Sequence, residues 1–161
     1  MRIAGLRPTS LFDGKGINYV IFTQGCQHHC KGCQNPSTWD FNGGDEIPVD
    51  VIIRQIKSYI GFIDGVTFSG GDPAYQMWQV KEIARWAKQN GLHTTMYTGF
   101  SFLSFDKDDL QDIDCLIDGE YVEKYHGTDI PFRGSSNQHI WKKDEDRHVV
   151  QKDVAVDVGK H

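Results

Sequence analysis

The chain has 161 residues and a formal net charge of −5, from 17 basic and 22 acidic side chains. That length suits one domain spanning 1–161 with a proper core, and falls short of the roughly 250 residues of a full eight-fold (β/α) barrel. The acidic balance and the lack of a basic run argue against nucleic acid as a partner; no apolar stretch approaches the ~20 residues of a membrane span, and Met1–Pro8 has no signal-peptide core.

Residues 2–17 read as loop-rich, centred on Ser10-Leu11-Phe12-Asp13-Gly14-Lys15-Gly16, whose Asp-Gly and second glycine mark a tight turn. Tyr19-Val20-Ile21-Phe22-Thr23 is an apolar, β-branched run that predicts a buried strand, broken by Gln24-Gly25. Three of the four cysteines then follow within eight residues, Cys26, Cys30 and Cys33, at the spacing C-x3-C-x2-C. Such clustering argues for metal binding in a reducing cytoplasm and against a disulfide framework. Thiolates are soft ligands that select zinc, copper(I) or iron–sulfur clusters. An ordinary electron-transfer [4Fe–4S] cluster takes four cysteines, so three local ligands leave one iron open for a substrate. Zinc is the alternative, with His28 or His29 completing a Cys3His tetrahedron. Two adjacent histidines in a tight loop point in different directions, so at most one ligates; otherwise both are exposed polar positions.

The cysteine loop after a strand resembles that of the radical S-adenosylmethionine enzymes. The run from Ser10 to Asn35, with its S-x2-D-G-x-G segment, is similar to the glycyl-radical activating enzymes within that superfamily. Gly32 stands where an aromatic residue commonly precedes the third cysteine, which points to a subgroup. The resemblance implies that Cys26, Cys30 and Cys33 ligate a [4Fe–4S] cluster. It implies further that the open iron chelates S-adenosyl-L-methionine, and that electron transfer to that cofactor gives a hydrogen-abstracting 5′-deoxyadenosyl radical.

Asn35-Pro36 stops any regular element, and Asn42-Gly43-Gly44 marks a turn. Ile47 to Ile60 carries apolar residues at helical spacing, with Pro48 near its start and Gly61 at its end. Asp64–Phe68 predicts a second buried strand, ended by Ser69-Gly70-Gly71-Asp72-Pro73. Two readings stand for this turn. Asp72 and Pro73 are a good N-cap and first residue for the next helix. The turn also resembles the GGE/GGDP motif of radical S-adenosylmethionine enzymes, which assigns Ser69, Gly70, Gly71 and Asp72 to the cofactor pocket. Ala74–Asn90 predicts an amphipathic helix with Met77, Trp78, Ile83, Trp86 and Ala87 in the core and Gly91 beyond its end.

Leu92–Tyr97 reads as a third strand, and Thr98 after it either faces the cofactor or caps the next turn. Phe105–Gln111 predicts a short acidic helix, and Ile113–Glu120 a fourth strand holding Cys115 as a small buried hydrophobe. Asp118 at its end either orients cofactor hydroxyls or a cation, or caps the turn. Arg133, within Phe132-Arg133-Gly134-Ser135-Ser136-Asn137-Gln138, offers a planar fork to a carboxylate or phosphate. That segment again resembles the activases of anaerobic ribonucleotide reductase. Arg147-His148-Val149-Val150 reads as a last strand.

Strand–helix alternation from near residue 18 predicts four or five β/α units. The expected fold is α/β, an open partial (β/α) barrel of the radical S-adenosylmethionine type, with the cluster at its C-terminal mouth and a lateral opening suited to a macromolecule. By resemblance the substrate is the anaerobic (class III) ribonucleoside-triphosphate reductase, which receives a glycyl radical, and a flavodoxin- or ferredoxin-type protein supplies electrons. The rivals are a pyruvate formate-lyase activase, a small-molecule radical enzyme and a non-catalytic zinc module.

Overall fold

Asn18–Thr23 (β2) carries the chain into the middle of a sheet, and all but one of its residues are buried. A strand covered on both faces reads as a continuous apolar run, which is why the sequence pattern found it. The computed structural model describes residues 1–11, 15–30, 36–120, 137–144 and 147–150. Arg2–Ser10 (β1) precedes β2, and the two-residue strand Asp45–Glu46 (β3) follows it. Then come Val49–Lys57 (α1), Gly65–Gly70 (β4), Met77–Gln89 (α2), His93–Tyr97 (β5), Cys115–Asp118 (β6), His139–Asp144 (β7) and Arg147–Val150 (β8). The sheet has the order β3-β1-β2-β4-β5-β6-β7-β8. Its centre, β2-β4-β5-β6, is parallel, and the flanking pairs are antiparallel.

Parallel pairing brings the C-terminal ends of β2, β4, β5 and β6 to one edge, where loops after parallel strands build ligand sites. Thr23 lies opposite Gly70, and Tyr97 opposite Ile117. Residues paired across strands share a face. Tyr19, Ile21, Val66, Phe68, Met96 and Leu116 form the face that packs on Ile52 and Ile56 of α1 and on Val80, Ile83, Ala84 and Ala87 of α2. Each such side chain contributes about 1.5–3 kcal/mol on full burial. The opposite face carries Val20, Thr67 and Thr95, also buried but smaller and more polar.

Several expectations are corrected. Residues 2–10 form a strand, hydrogen-bonded to β2 with register shifts between Ile3 and Gly5 and between Arg7 and Ser10. Those irregularities and Pro8 hide the alternation that marks a strand. Phe105–Gln111 is not helical: the β5–β6 connection holds only the 3-10 turn Phe102–Ser104 and further turns. Its aspartates instead meet α2, with Lys81 on Asp108 and Asp109, Arg85 near Asp112 and Lys88 on Asp114. Two helical crossovers therefore serve four parallel strands. Trp78 is 79 % exposed and lies outside the core. Asp72 caps a 3-10 turn, Pro73–Gln76, before α2 begins at Met77, and the buried stripe starts at Val80.

Candidate functional site

The turn after β4 is stitched to the exit of β2 through the backbone. Gly71 N–H donates to Thr23 O at 2.8 Å, and Asp72 N–H donates to Gly25 O at 2.9 Å. This closeness needs glycine: a Cβ on Gly71 would sit 2.4 Å from Gly25 O and 2.8 Å from Thr38 O. Gly70 has φ +101°, a conformation glycine adopts at little cost. Beyond Gly25 the cysteine loop is anchored by Gly25 N–H to Thr38 O and by Cys26 N–H to Trp39 O, at 2.7 and 3.1 Å.

Cys26 is buried and Cys30 half-buried, and neither these nor Cys115 is in a disulfide. Cys33 lies outside the described residues, as does Arg133. Cys115 sits within β6, and burial pushes its thiol up to about 11. It lies in the expected apolar setting, away from the loop.

Asp72 is the hub of this edge, only 1 % exposed. Its Oδ1 accepts from Ala74 N–H at 3.0 Å, completing the N-cap that the sequence predicts. Its Oδ2 accepts from Gly99 N–H at 2.8 Å. The Thr98 hydroxyl donates to the same carboxylate, 2.9 Å from Oδ1, and accepts from Phe100 N–H. Thr98 thus organises the turn after β5, one of the two roles expected of it. A buried carboxylate needs this many donors, since an unsatisfied charge there is costly.

The remaining partner of Asp72 is His28. His28 Nε2 meets Asp72 Oδ2 at 2.8 Å, and Nδ1 meets Glu120 Oε2 at 2.8 Å. The ring also packs edge-on to Phe100, centroids 4.6 Å apart. The hydrogen bond to Asp72 raises the His28 pKa above its ordinary value, against the opposing effect of burial, and the charges of Asp72 and Glu120 add to the rise. The reading of His28 as an exposed polar position is corrected: its side chain is 13 % exposed and both nitrogens are engaged. His29 turns elsewhere, stacking on Trp39 with centroids 4.7 Å apart and φ +48°. Tyr75 holds the loop as well, through a hydrogen bond with the Gln27 backbone, and burial raises its pKa.

Asp118 ends β6. Its Oδ2 accepts from Phe102 N–H at 2.7 Å, so it does cap the following turn. Its Oδ1 is buried without a hydrogen bond, 3.5 Å from His139 Nδ1. Ser69 lies in β4, and its carbonyl accepts from the Thr23 hydroxyl at 3.0 Å. The edge therefore brings Cys26, Gly70, Gly71, Asp72 and Thr98 together, with Asp118 one strand further on.

Sequence reasoning missed Glu120, Gly99, Phe100 and Tyr75 and offered His28 only as a zinc ligand or an exposed polar position. The only local signal was position, since Thr98-Gly99-Phe100 and Gly119-Glu120 both follow parallel strands.

Sulfur donors suit iron–sulfur or zinc, and His28 has no ring nitrogen left to complete a Cys3His set. Among the described residues, no cluster of three or more His, Cys, Asp and Glu is placed to hold a metal. No helix among them is long and apolar enough to cross a membrane.

A family model described as a 4Fe-4S single cluster domain matches residues 12–141. Over 141 residues the chain is 32 % identical to the anaerobic ribonucleoside-triphosphate reductase-activating protein of Enterobacteria phage T4, covering 83 % of this chain and 89 % of that one. The protein of the same name from Haemophilus influenzae is 32 % identical over 145 residues, covering 83 % and 92 %. The pyruvate formate-lyase-activating enzyme of Clostridium pasteurianum is 33 % identical over 111 residues, which is 66 % of this chain and 47 % of that enzyme.

Proposed function

The chain belongs to the family of anaerobic ribonucleoside-triphosphate reductase-activating proteins, and from that premise we propose how its residues serve the reaction. It is an iron–sulfur activating enzyme. Cys26, Cys30 and Cys33 would hold the [4Fe–4S] cluster, three thiolates leaving one iron for S-adenosyl-L-methionine. Bound together, cluster and cofactor would supply the one-electron chemistry by which the reductase acquires a glycyl radical.

The protein's part is binding and orientation. The Ser69–Asp72 turn offers backbone carbonyls at the end of β4, held against the β2 exit by the close approach of Gly71 to Gly25. Asp72 works through other residues: its oxygens are taken up by Ala74, Thr98, Gly99 and His28. Thr98 is bound into the same turn. The buried Asp118 Oδ1 has unused acceptor capacity for a ligand hydroxyl. Arg133 is assigned to an anionic group of cofactor or partner on its chemistry alone. Electrons come from a flavodoxin- or ferredoxin-type protein.

The supporting observation is the seam itself. It sets the start of the cysteine loop, Gly25-Cys26, against a Gly-Gly-Asp-Pro turn at one end of a parallel sheet. Four parallel strands with antiparallel flanks suit an open partial (β/α) barrel whose side opening admits a protein substrate.

The test is electron paramagnetic resonance on anaerobically reconstituted, dithionite-reduced protein. A [4Fe–4S]⁺ signal that shifts on adding S-adenosyl-L-methionine, followed by a glycyl-radical doublet on adding the reductase, is the expected result. A colourless zinc protein overturns the reading. A shifted cluster with no doublet redirects it to another glycyl-radical substrate.

A further inference from the structure

His28 occupies the middle of the cysteine loop, where its neighbours at positions 26 and 30 carry the sulfurs. Its side chain meets residues 44 and 92 positions further along the chain, in the loops after β4 and β6. Three independent features converge on the ring. Asp72, buried and fixed by Ala74, Thr98 and Gly99, presents an oxygen to Nε2. Glu120, two residues past the end of β6, presents one to Nδ1. Gly99 supplies the space, since a Cβ there would lie 2.7 Å from Cδ2 and Nε2 of the ring. The imidazole therefore joins the loop after β2 to the ends of β4, β5 and β6 at once.

We propose that His28 is a positioning residue, an imidazole clasp that holds the cysteine loop onto the ends of β4 and β6, with Asp72 as its buried anchor and Glu120 as its outer one. The cluster's role in this rests on the functional reading above; the clasp itself is a property of the protein without metal. One carboxylate stands at each ring nitrogen, 2.8 Å away in both cases, and hydrogen bonds to a carboxylate are of the stronger, charge-assisted kind. With the clasp closed, Cys26 stays shielded, 7 % exposed, next to Gly25, whose carbonyl accepts from Asp72 N–H. With it open, Gly25 and Cys26 keep their backbone bonds to Thr38 and Trp39, and Tyr75 keeps its hydrogen bond with the Gln27 backbone, while the link through Asp72 and Glu120 is lost.

The first experiment uses the full chain without metal. Per-cysteine iodoacetamide labelling is followed by peptide mass spectrometry in the wild type, His28→Ala, His28→Gln and Glu120→Ala. Losing a charge-assisted bond raises the open population, and so Cys26 labelling, on the order of tenfold in His28→Ala. Buried Cys115 serves as the internal clock and keeps its rate. His28→Gln, whose amide nitrogen can take the place of Nε2, recovers most of the protection. Glu120→Ala removes only the outer anchor, 53 % exposed, and gives a smaller rise. An unchanged Cys26 rate in both His28→Ala and Glu120→Ala overturns the proposal. If Cys115 accelerates along with Cys26 in His28→Ala, that variant has unfolded and Glu120→Ala decides: a selective Cys26 rise supports the clasp, and none overturns it.

The second experiment titrates S-adenosyl-L-methionine into the reduced, reconstituted variants and follows the shift of the cluster signal. Affinity is expected to fall about tenfold in His28→Ala and less in His28→Gln. Equal affinity in all variants refutes a positioning role. A wild type that takes up no four-iron cluster refutes the functional reading instead, and leaves the labelling result standing.

Discussion

The missing side chain of Gly99 is the room in which the His28 ring lies: a Cβ at residue 99 would stand 2.7 Å from Nε2 and 3.0 Å from Cγ. A side chain added on β5's exit loop therefore acts on the loop after β2. Gly99→Ala should displace the ring, weaken its bond to Asp72 Oδ2 and reproduce the His28→Ala labelling of Cys26, with Cys115 unaffected. Labelling of Cys26 at the wild-type rate would show that the ring does not depend on this space.

The cysteines divide by location. Replacing Cys26, Cys30 or Cys33 with serine should each abolish the cluster, measured as iron and acid-labile sulfide per chain and as loss of visible absorption. Cys115→Ala should keep full iron content, because that thiol is inside β6 and burial holds it protonated at neutral pH. Its cost is a small cavity, roughly 1 kcal/mol of stability. Loss of iron in Cys115→Ala would assign the fourth cysteine to the metal.

Gly71 and Gly5 make a matched pair. Alanine at 71 would drive a Cβ into the carbonyl oxygen of Gly25, backbone that can yield only by parting the two loops, whereas alanine at 5 meets nothing within 4 Å. Gly71→Ala should lose roughly 1–3 kcal/mol in urea melts and most of its cofactor affinity. Gly5→Ala should match the wild type in both. Equal behaviour of the two variants would mean the seam between Gly25 and Gly71 is not needed.

Acid should weaken the fold through His93. Its pKa is lowered, first by burial, with Lys88, Lys15 and Lys142 adding to the effect and Asp114 opposing it. The unfolded chain therefore takes up a proton at higher pH than the folded one does. The neutral ring's contribution is fully present above the unfolded value near 6.5 and is lost as pH falls from there through the folded value. Urea midpoints at pH 7.5 and 5.5 should show a fall in the wild type that is reduced in His93→Gln. Parallel slopes would exclude His93 as a source of acid sensitivity.

What could be read beforehand follows a physical divide. The cysteine spacing, the Gly-Gly-Asp-Pro turn and the buried runs of β2, β4 and β6 are local patterns, so the chain displays them directly. Asp72's N-cap was legible because Pro73 follows it. The hub role was not, because Thr98, Gly99 and His28 reach Asp72 only once parallel pairing has aligned three strand ends. Trp78 was misplaced through phase: the helix begins at Met77 after a 3-10 turn, which shifts the apolar stripe to Val80, Ile83, Ala84 and Ala87. The aspartates of residues 106–114 suggested a helix by composition, yet they serve α2 as counter-charges, a tertiary use that periodicity cannot express. The open barrel was inferred from alternation; the sheet's parallel centre agrees with it, and the helix-free β5–β6 connection departs from it.

The clasp also orders events in time. A nascent chain emerges from its N-terminus, so the three loop thiols leave the ribosome 87 to 94 residues before Glu120, the residue that completes the grip on His28. For that interval the sulfurs are made but not arranged, exposed to oxidants and to adventitious metal. With the clasp as proposed, the loop is fully gripped only once β6 and Glu120 have been made, not when its cysteines are.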